Sequence, residues 1–314
     1  MMRTFRLHRV LLGLLAITVL SIDAAAQAWV QPPGNAYIKL AHGRSDAAEQ
    51  FSADGTRIPY NLLFEDEDTF SDRSYYLYGE VGVTPRLTLV GLLPLKEITL
   101  VDELVGQETG PIQASGVGSL MFGVRWDLQP SLGFTAEDRH AAAANVMLTV
   151  PTGYTRNASP SIGAGQVDLQ GMLHYGLSLF PFPGYAQVGI GLRLRSDIYE
   201  LSKTIDCSEV VRCQETTRPD YGNEWLMNGE VGVNLGRWVL AQALVQSTWS
   251  NQAPESTFDP ANPFPTLQRF VKTGIGVTVS PVPLIGLSVQ YFTTPVGRNT
   301  IVSDDVFWGV EVRM

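Results

Sequence analysis

Beyond its first 28 residues, this 314-residue chain has no unbroken apolar run of the ~20 residues that a membrane-spanning helix requires, which excludes helical spanning. Cysteine is nearly absent: the only two, Cys207 and Cys213, stand six positions apart, and no metal-ligand spacing occurs. Histidine is scarce too, and of the four only His42, His140 and His174 follow the leader, so little is available for acid–base or metal chemistry. Positive charge is in the minority, with 22 Lys and Arg against 31 Asp and Glu, a poor balance for holding a nucleic-acid backbone. Mean hydropathy is close to neutral at +0.04, as expected where apolar and polar positions cancel.

The leader itself is recognisable. Arg3, Arg6, His8 and Arg9 precede the apolar run Val10 to Leu20, and small residues follow, with cleavage fitting after Ala26 or after Ala28. The division predicted is therefore a removed signal peptide, residues 1–28, and one exported domain, residues 29–314. Its composition gives no reason to expect a cofactor.

From Tyr37 onward one unit repeats, about ten alternating residues followed by a turn. Val167, Leu169, Leu173, Tyr175, Leu177 and Leu179, for example, alternate with Gln166, Asp168, Gln170 and His174. One face is oily and the other wet, and in lipid only a closed barrel satisfies every backbone group of such strands. Short turns at residues 84–86, 181–184, 236–237 and 281–283, and a longer one at 129–139, alternate with polar connections at 44–73, 97–118, 151–165, 197–222 and 250–268 and a brief one at 295–300. The predicted fold is an all-β, transmembrane, antiparallel up-and-down barrel of about 12 strands, at residues 37–43, 74–83, 87–96, 119–128, 141–150, 166–180, 185–196, 223–235, 238–249, 269–280, 285–294 and 301–314. Residues 141–144 read equally well as a helical turn. Short turns belong on the periplasmic side, which places both termini there and the long loops among outer-membrane lipid and lipopolysaccharide.

The wet faces carry both signs of charge. Candidate selectivity residues are Arg125, Asp127, Asp168, His174, Arg193, Arg195, Glu230 and Lys272. Even alternation of carboxylates and cations favours pairing across the lumen over a single-sign field, the alternative being a constriction around Arg193, Arg195, Asp168 and His174. Only Trp29 to Ala36 precede the first strand, so a gate is expected from loops or lumen charges. The 97–118 connection is the candidate lid, because Val101, Leu104 and Val105 are apolar for a solvated loop. Cys207 and Cys213, exported through an oxidising compartment, should bridge. The run Glu65-Asp66-Glu67-Asp68 reads as a solvated loop face. His42, with Ser45 nearby, is the one candidate for lipid hydrolysis, and it reads better as an interfacial side chain. The pentapeptide Gly79-Glu80-Val81-Gly82-Val83 recurs at Gly229-Glu230-Val231-Gly232-Val233, which predicts glycines that pack closely and valines that face lipid.

Several motifs carry a family resemblance. Glu80-Val81-Gly82-Val83-Thr84-Pro85-Arg86 with Leu92-Leu93-Pro94, then Gly116-Val117-Gly118, Pro151-Thr152-Gly153 and Gly163-Ala164-Gly165-Gln166-Val167-Asp168-Leu169-Gln170 occur in an order that resembles the outer-membrane proteins named for the meta-pathway of phenol degradation. The chain end, with Gly309, Val312 and Met314, is similar to the terminal signal read by the barrel-assembly machinery, Met replacing the usual aromatic residue. The resemblance implies an outer-membrane barrel without catalytic residues, serving as a channel or transporter of small, hydrophobic or aromatic organic solutes. A non-conducting structural or adhesive barrel and a barrel-borne lipid hydrolase are the alternatives.

Overall fold

Alternation with a period of two makes strands whose side chains divide between two faces. The computed structural model describes residues 27–59, 70–100, 112–135, 139–158, 160–208, 218–254 and 266–314. The barrel strands are β1 (Ala36–Ala47), β2 (Phe70–Thr84), β3 (Leu87–Leu100), β4 (Leu120–Asp127), β5 (His140–Val150), β6 (Asp168–Ser178), β7 (Gly184–Arg195), β8 (Glu224–Leu235), β9 (Val239–Ser250), β10 (Arg269–Val282), β11 (Ile285–Arg298) and β12 (Asp304–Arg313). Each pairs with its neighbour in sequence, and β12 pairs with β1, so the sheet closes as an antiparallel barrel. At the seam Ala36 and Met314 exchange backbone hydrogen bonds of 2.9 and 2.8 Å. Gly309 permits the close approach there, since a Cβ would stand 2.7 Å from the Leu40 carbonyl oxygen.

The outer face is apolar. Leu40, Leu77, Leu173, Val188, Ile275 and Leu287 all point outward, and Leu173 leaves 58% of its surface uncovered. A continuous band of this kind belongs in hydrocarbon. Trp126 and Trp238 lie toward the short turns and Trp225 and Trp249 toward the long connections, forming the two interfacial belts such a band needs.

Several expected boundaries are corrected. Arg44–Ala47 continues β1 against residues 70–73, and Glu97–Leu100 continues β3 against Ile112–Val117, so much of the 44–73 and 97–118 connections is strand. Alternation persists there, with Ser45, Asp72, Ile98 and Leu100 turned inward, but polar residues facing a lumen resemble a loop in sequence. The brief connection at 295–300 is largely absorbed by β11, whose register shifts beside Pro295, a residue without an N–H for the ladder. β12 starts at Asp304. Thr300–Ile301 joins a small sheet with Glu49–Phe51 and Arg57–Pro59 instead. Residues 141–144, ambiguous in sequence, are strand within β5.

At the long-loop end, residues 151–165 and 197–208 pack on each other. Arg156 and Lys203 donate backbone N–H groups to Lys203 and Tyr154 at 3.0 and 2.9 Å, and Arg156 Nη1 donates to Tyr199 O at 2.8 Å. Burial pushes the Tyr154 and Tyr199 phenols up to about 12, so both remain donors. Tyr199 donates to Gln166 Oε1 at 2.7 Å, tying this cover to the barrel wall.

Candidate channel and its constriction

The lumen contains something the alternation pattern does not predict. Residues Gln27 to Pro33, which precede β1, run into the barrel at the end where Ala36 pairs with Met314. Ala28 is fully buried, and its N–H donates to Gln187 Oε1 at 3.2 Å. Arg125 Nη1 donates to Trp29 O at 3.1 Å, and Gln31 donates through N to Thr88 Oγ1 at 2.8 Å and through Nε2 to Glu80 Oε2 at 2.7 Å. Asn228 Nδ2 reaches Gln27 Oε1 at 3.0 Å. The Trp29 ring stands edge-on to Tyr185 with centroids 6.1 Å apart and lies over Gly176, where a Cβ would fall 2.4 Å from it. The expectation that no gate precedes the first strand is therefore corrected. A segment without periodicity gives no strand signal, yet its amides and carbonyls complete the wall's hydrogen bonds.

The repeated pentapeptide forms the seat. Val81 and Val231 face outward, while Glu80 and Glu230 face in. Gly82 gives room to the segment, because a Cβ there would stand 2.1 Å from Pro32 O and 2.5 Å from Gln31 O. Gly232 does the same for the Tyr185 ring, at 2.4 Å. Glu230 accepts from Gln187 Nε2 at 2.9 Å, from Gln242 Nε2 at 2.6 Å and from the Tyr185 hydroxyl.

Two spaces border the inserted segment. Deeper in the barrel is a chamber of about 80 Å3 lined by Tyr78, Met121, Arg125, Met147, Met172 and His174, with Gln27 in its wall. On the other side a vestibule of about 400 Å3 touches Trp29, Gln31, Tyr37, Tyr185 and Glu311. His174 is buried and packs over Gly189, and among the described residues neither ring nitrogen has a hydrogen-bond partner.

Charges facing the lumen are paired. Arg125 meets Glu80 at 2.9 Å, Arg193 meets Glu224 at 2.7 Å, and Arg195 meets Asp168 at 3.2 Å and Glu224 at 3.4 Å. Arg195 also lies over the Tyr221 ring, 4.4 Å from its centroid. Lys39 meets Glu311 at 3.4 Å, Lys96 meets Asp72 at 3.9 Å, and Lys272 bonds Asp305, which also accepts from Ser45 Oγ at 3.0 Å. Buried ions tolerate this environment only when satisfied in this way.

The candidate residues thus separate. Arg193, Arg195 and Asp168 come together near the long-loop end, joined by Glu224. His174 and Arg125 line the chamber further in, and Glu230 sits beside the inserted segment. Asp127 accepts from Gln129 N at 2.8 Å and so caps a turn at the rim rather than lining a constriction. Glu224 and Asp305, absent from the sequence candidates, share the inward parity of Glu230 and Glu311 and were accessible by counting alternate positions. Asp72 fell in an expected loop. Val101, Leu104, Val105, the run Glu65 to Asp68, and Cys213 lie outside the described residues; Cys207 stands 3.7 Å from Asn157 Nδ2. His42 and Ser45 occupy opposite faces. His42 points outward, stacked on Tyr75 at 4.6 Å and edge-on to Trp308 at 4.4 Å, whereas Ser45 is turned into the lumen. That separation excludes Ser45 as a nucleophile paired with His42. Among the described residues no group of metal-ligating side chains occurs.

Comparison with solved structures agrees with this architecture. The chain is similar to the crystal structure of an outer membrane channel from Pseudomonas putida F1, with a TM-score of 0.65 at 14% identity, over 91% of this chain and 97% of that one. It is also similar to the NanC porin, with a TM-score of 0.51 at 7% identity over 88% and 98%. No protein-family model and no curated protein matches the sequence, and the likeness to solved structures shows the outer-membrane barrel fold, not membership of the phenol meta-pathway group.

Proposed function

We propose that this chain is an outer-membrane channel for small organic molecules, occluded at its periplasmic mouth by its own residues Gln27 to Pro33. The observation that carries the reading is the inserted segment, which divides the chamber from the vestibule and is held by side chains of several strands. A merely structural barrel has no use for two hollows separated by a removable strip. The solute class follows from the chamber wall. Three thioethers, from Met121, Met147 and Met172, adapt to flat apolar surfaces, while His174 and Arg125 offer a few polar contacts, a combination suited to small aromatic molecules. The likeness to channel barrels supports the same direction, and the assignment includes no catalytic step.

In this reading the leader exports the chain, Gly309, Val312 and Met314 engage the assembly machinery, and short turns and termini face the periplasm. Planar-bilayer conductance is the direct test, on the wild type and on a mature chain lacking Gln27 to Pro33, with and without small aromatic solutes. Larger conductance in the shortened form, reduced by the solutes, is the expected outcome. Two equally silent, correctly folded proteins would favour the non-conducting barrel, which the dense lumen pairing otherwise suits.

A further inference from the structure

One row of side chains crosses the outer face near the long-loop end. Backbone pairing aligns Trp225 with Trp249, Trp249 with Arg269, and Arg269 with Arg298, in one line across four neighbouring strands. Directly opposed residues of antiparallel strands share a face, so the two arginines are cross-strand neighbours, and like charges so placed repel. A second opposed pair, Arg44 and Arg73, is compensated: Arg44 meets Asp46 at 2.8 Å and Arg73 stands opposite Glu97. For Arg269 and Arg298 no carboxylate lies within ion-pair distance among the described residues. Arg269 instead stands over the Trp249 ring at 5.7 Å with its Nε buried and without a hydrogen-bond partner among those residues, and Arg298 lies along the Gly55 turn, where Asp54 turns its Oδ1 to Ser52 and to Thr56 N at 2.9 Å.

We propose that Arg269 and Arg298 clamp a phosphate of the outer-leaflet glycolipid, with Trp249 and Trp225 against its acyl boundary. Guanidinium forks suit phosphate oxygens, one anion between them turns repulsion into attraction, and tryptophans mark the depth at which headgroups meet hydrocarbon. The proposal rests on the long loops facing outward and is independent of what passes through the lumen.

Native mass spectrometry of the detergent-purified barrel provides the test, with phosphorylated lipid A, its dephosphorylated form, phosphatidylglycerol and inorganic phosphate as probes. Lipid A should bind the wild type, and R269Q/R298Q should weaken it on the order of tenfold or more. R269K/R298K, which keeps the charge but loses the planar forks, should bind lipid A more weakly than the wild type, a comparison that remains informative if the glutamine variant fails to fold, whereas binding equal to the wild type would overturn the fork contacts. Equal lipid A binding by folded wild type and R269Q/R298Q, or by phosphorylated and dephosphorylated lipid, would overturn the site. Equal binding of phosphatidylglycerol would overturn the glycolipid, and displacement of lipid A by millimolar inorganic phosphate would reduce the pair to an unspecific anion trap.

Discussion

Replacing Gly82 with Ala should open the channel by adding one methyl group. The new Cβ would stand 2.1 Å from the Pro32 carbonyl oxygen, where ordinary contact begins near 3.4 Å, so the inserted segment must retreat by roughly 1.3 Å. The obstacle is backbone, not the end of a flexible side chain. It also exists only while the segment is seated, because Gly82 lies in extended conformation opposite Thr88 and alanine fits a strand there. Overpacking of this kind costs about 1–3 kcal/mol. Charged to the seated state alone, that shifts the equilibrium between seated and withdrawn segment by about 5- to 150-fold. Opposing it are the bonds to Gln187 and Thr88, each worth about 0.5–1.5 kcal/mol, and the charge-assisted ones with Glu80 and Arg125, about 1.5–3 each. The variant should therefore raise open probability without leaving the channel permanently open. Single-channel recording measures this directly, with Gly79→Ala as control, since a Cβ at that outward position comes no closer than 3.9 Å to other atoms. Unchanged gating in folded G82A, or an equal change in G79A, would refute the plug.

Three other outcomes follow from the same geometry. Replacing Arg193 and Arg195 together by Ala leaves Asp168 and Glu224 buried without their cations, and should destabilise the barrel by about 3–5 kcal/mol, seen as a lower temperature for the heat-induced gel shift; an unchanged transition would mean that these pairs are solvated. Thiol labelling of intact cells should find Cys207 and Cys213 unreactive until reductant is added, and strong labelling beforehand would refute the bridge. Intact mass of the exported protein should place its first residue at Gln27 rather than Trp29, because cleavage after Ala28 would delete the contacts to Asn228 and Gln187.

The barrel was legible because its two solvents enforce a two-residue period. Leu173 and His174 differ by one position and by environment, lipid against lumen, so each strand announces itself and its facing together. Legibility weakens at the long-loop ends of β1 and β2, where Ser45 and Asp72 face inward to make polar contacts. Polar residues on both faces there look like loop, although alternation continues.

The inserted segment is hidden for a different reason than the charge pairs would be. Arg195 finding Asp168 is a matter of cross-strand register, recoverable once adjacent strands are aligned, and the same alignment supplies Glu224 to Arg193. Gln27 to Pro33 has no such register. Its place is fixed by what the wall lacks: Gly82 and Gly176 leave gaps, and Arg125, Gln187 and Thr88 have donors and acceptors to spare. The seat is therefore written as a deficit spread over β2, β3, β4, β6 and β7. A sequence shows such a deficit only after its strands have been assembled into a barrel, so the seat becomes visible in the wall and not in residues 27–33 themselves.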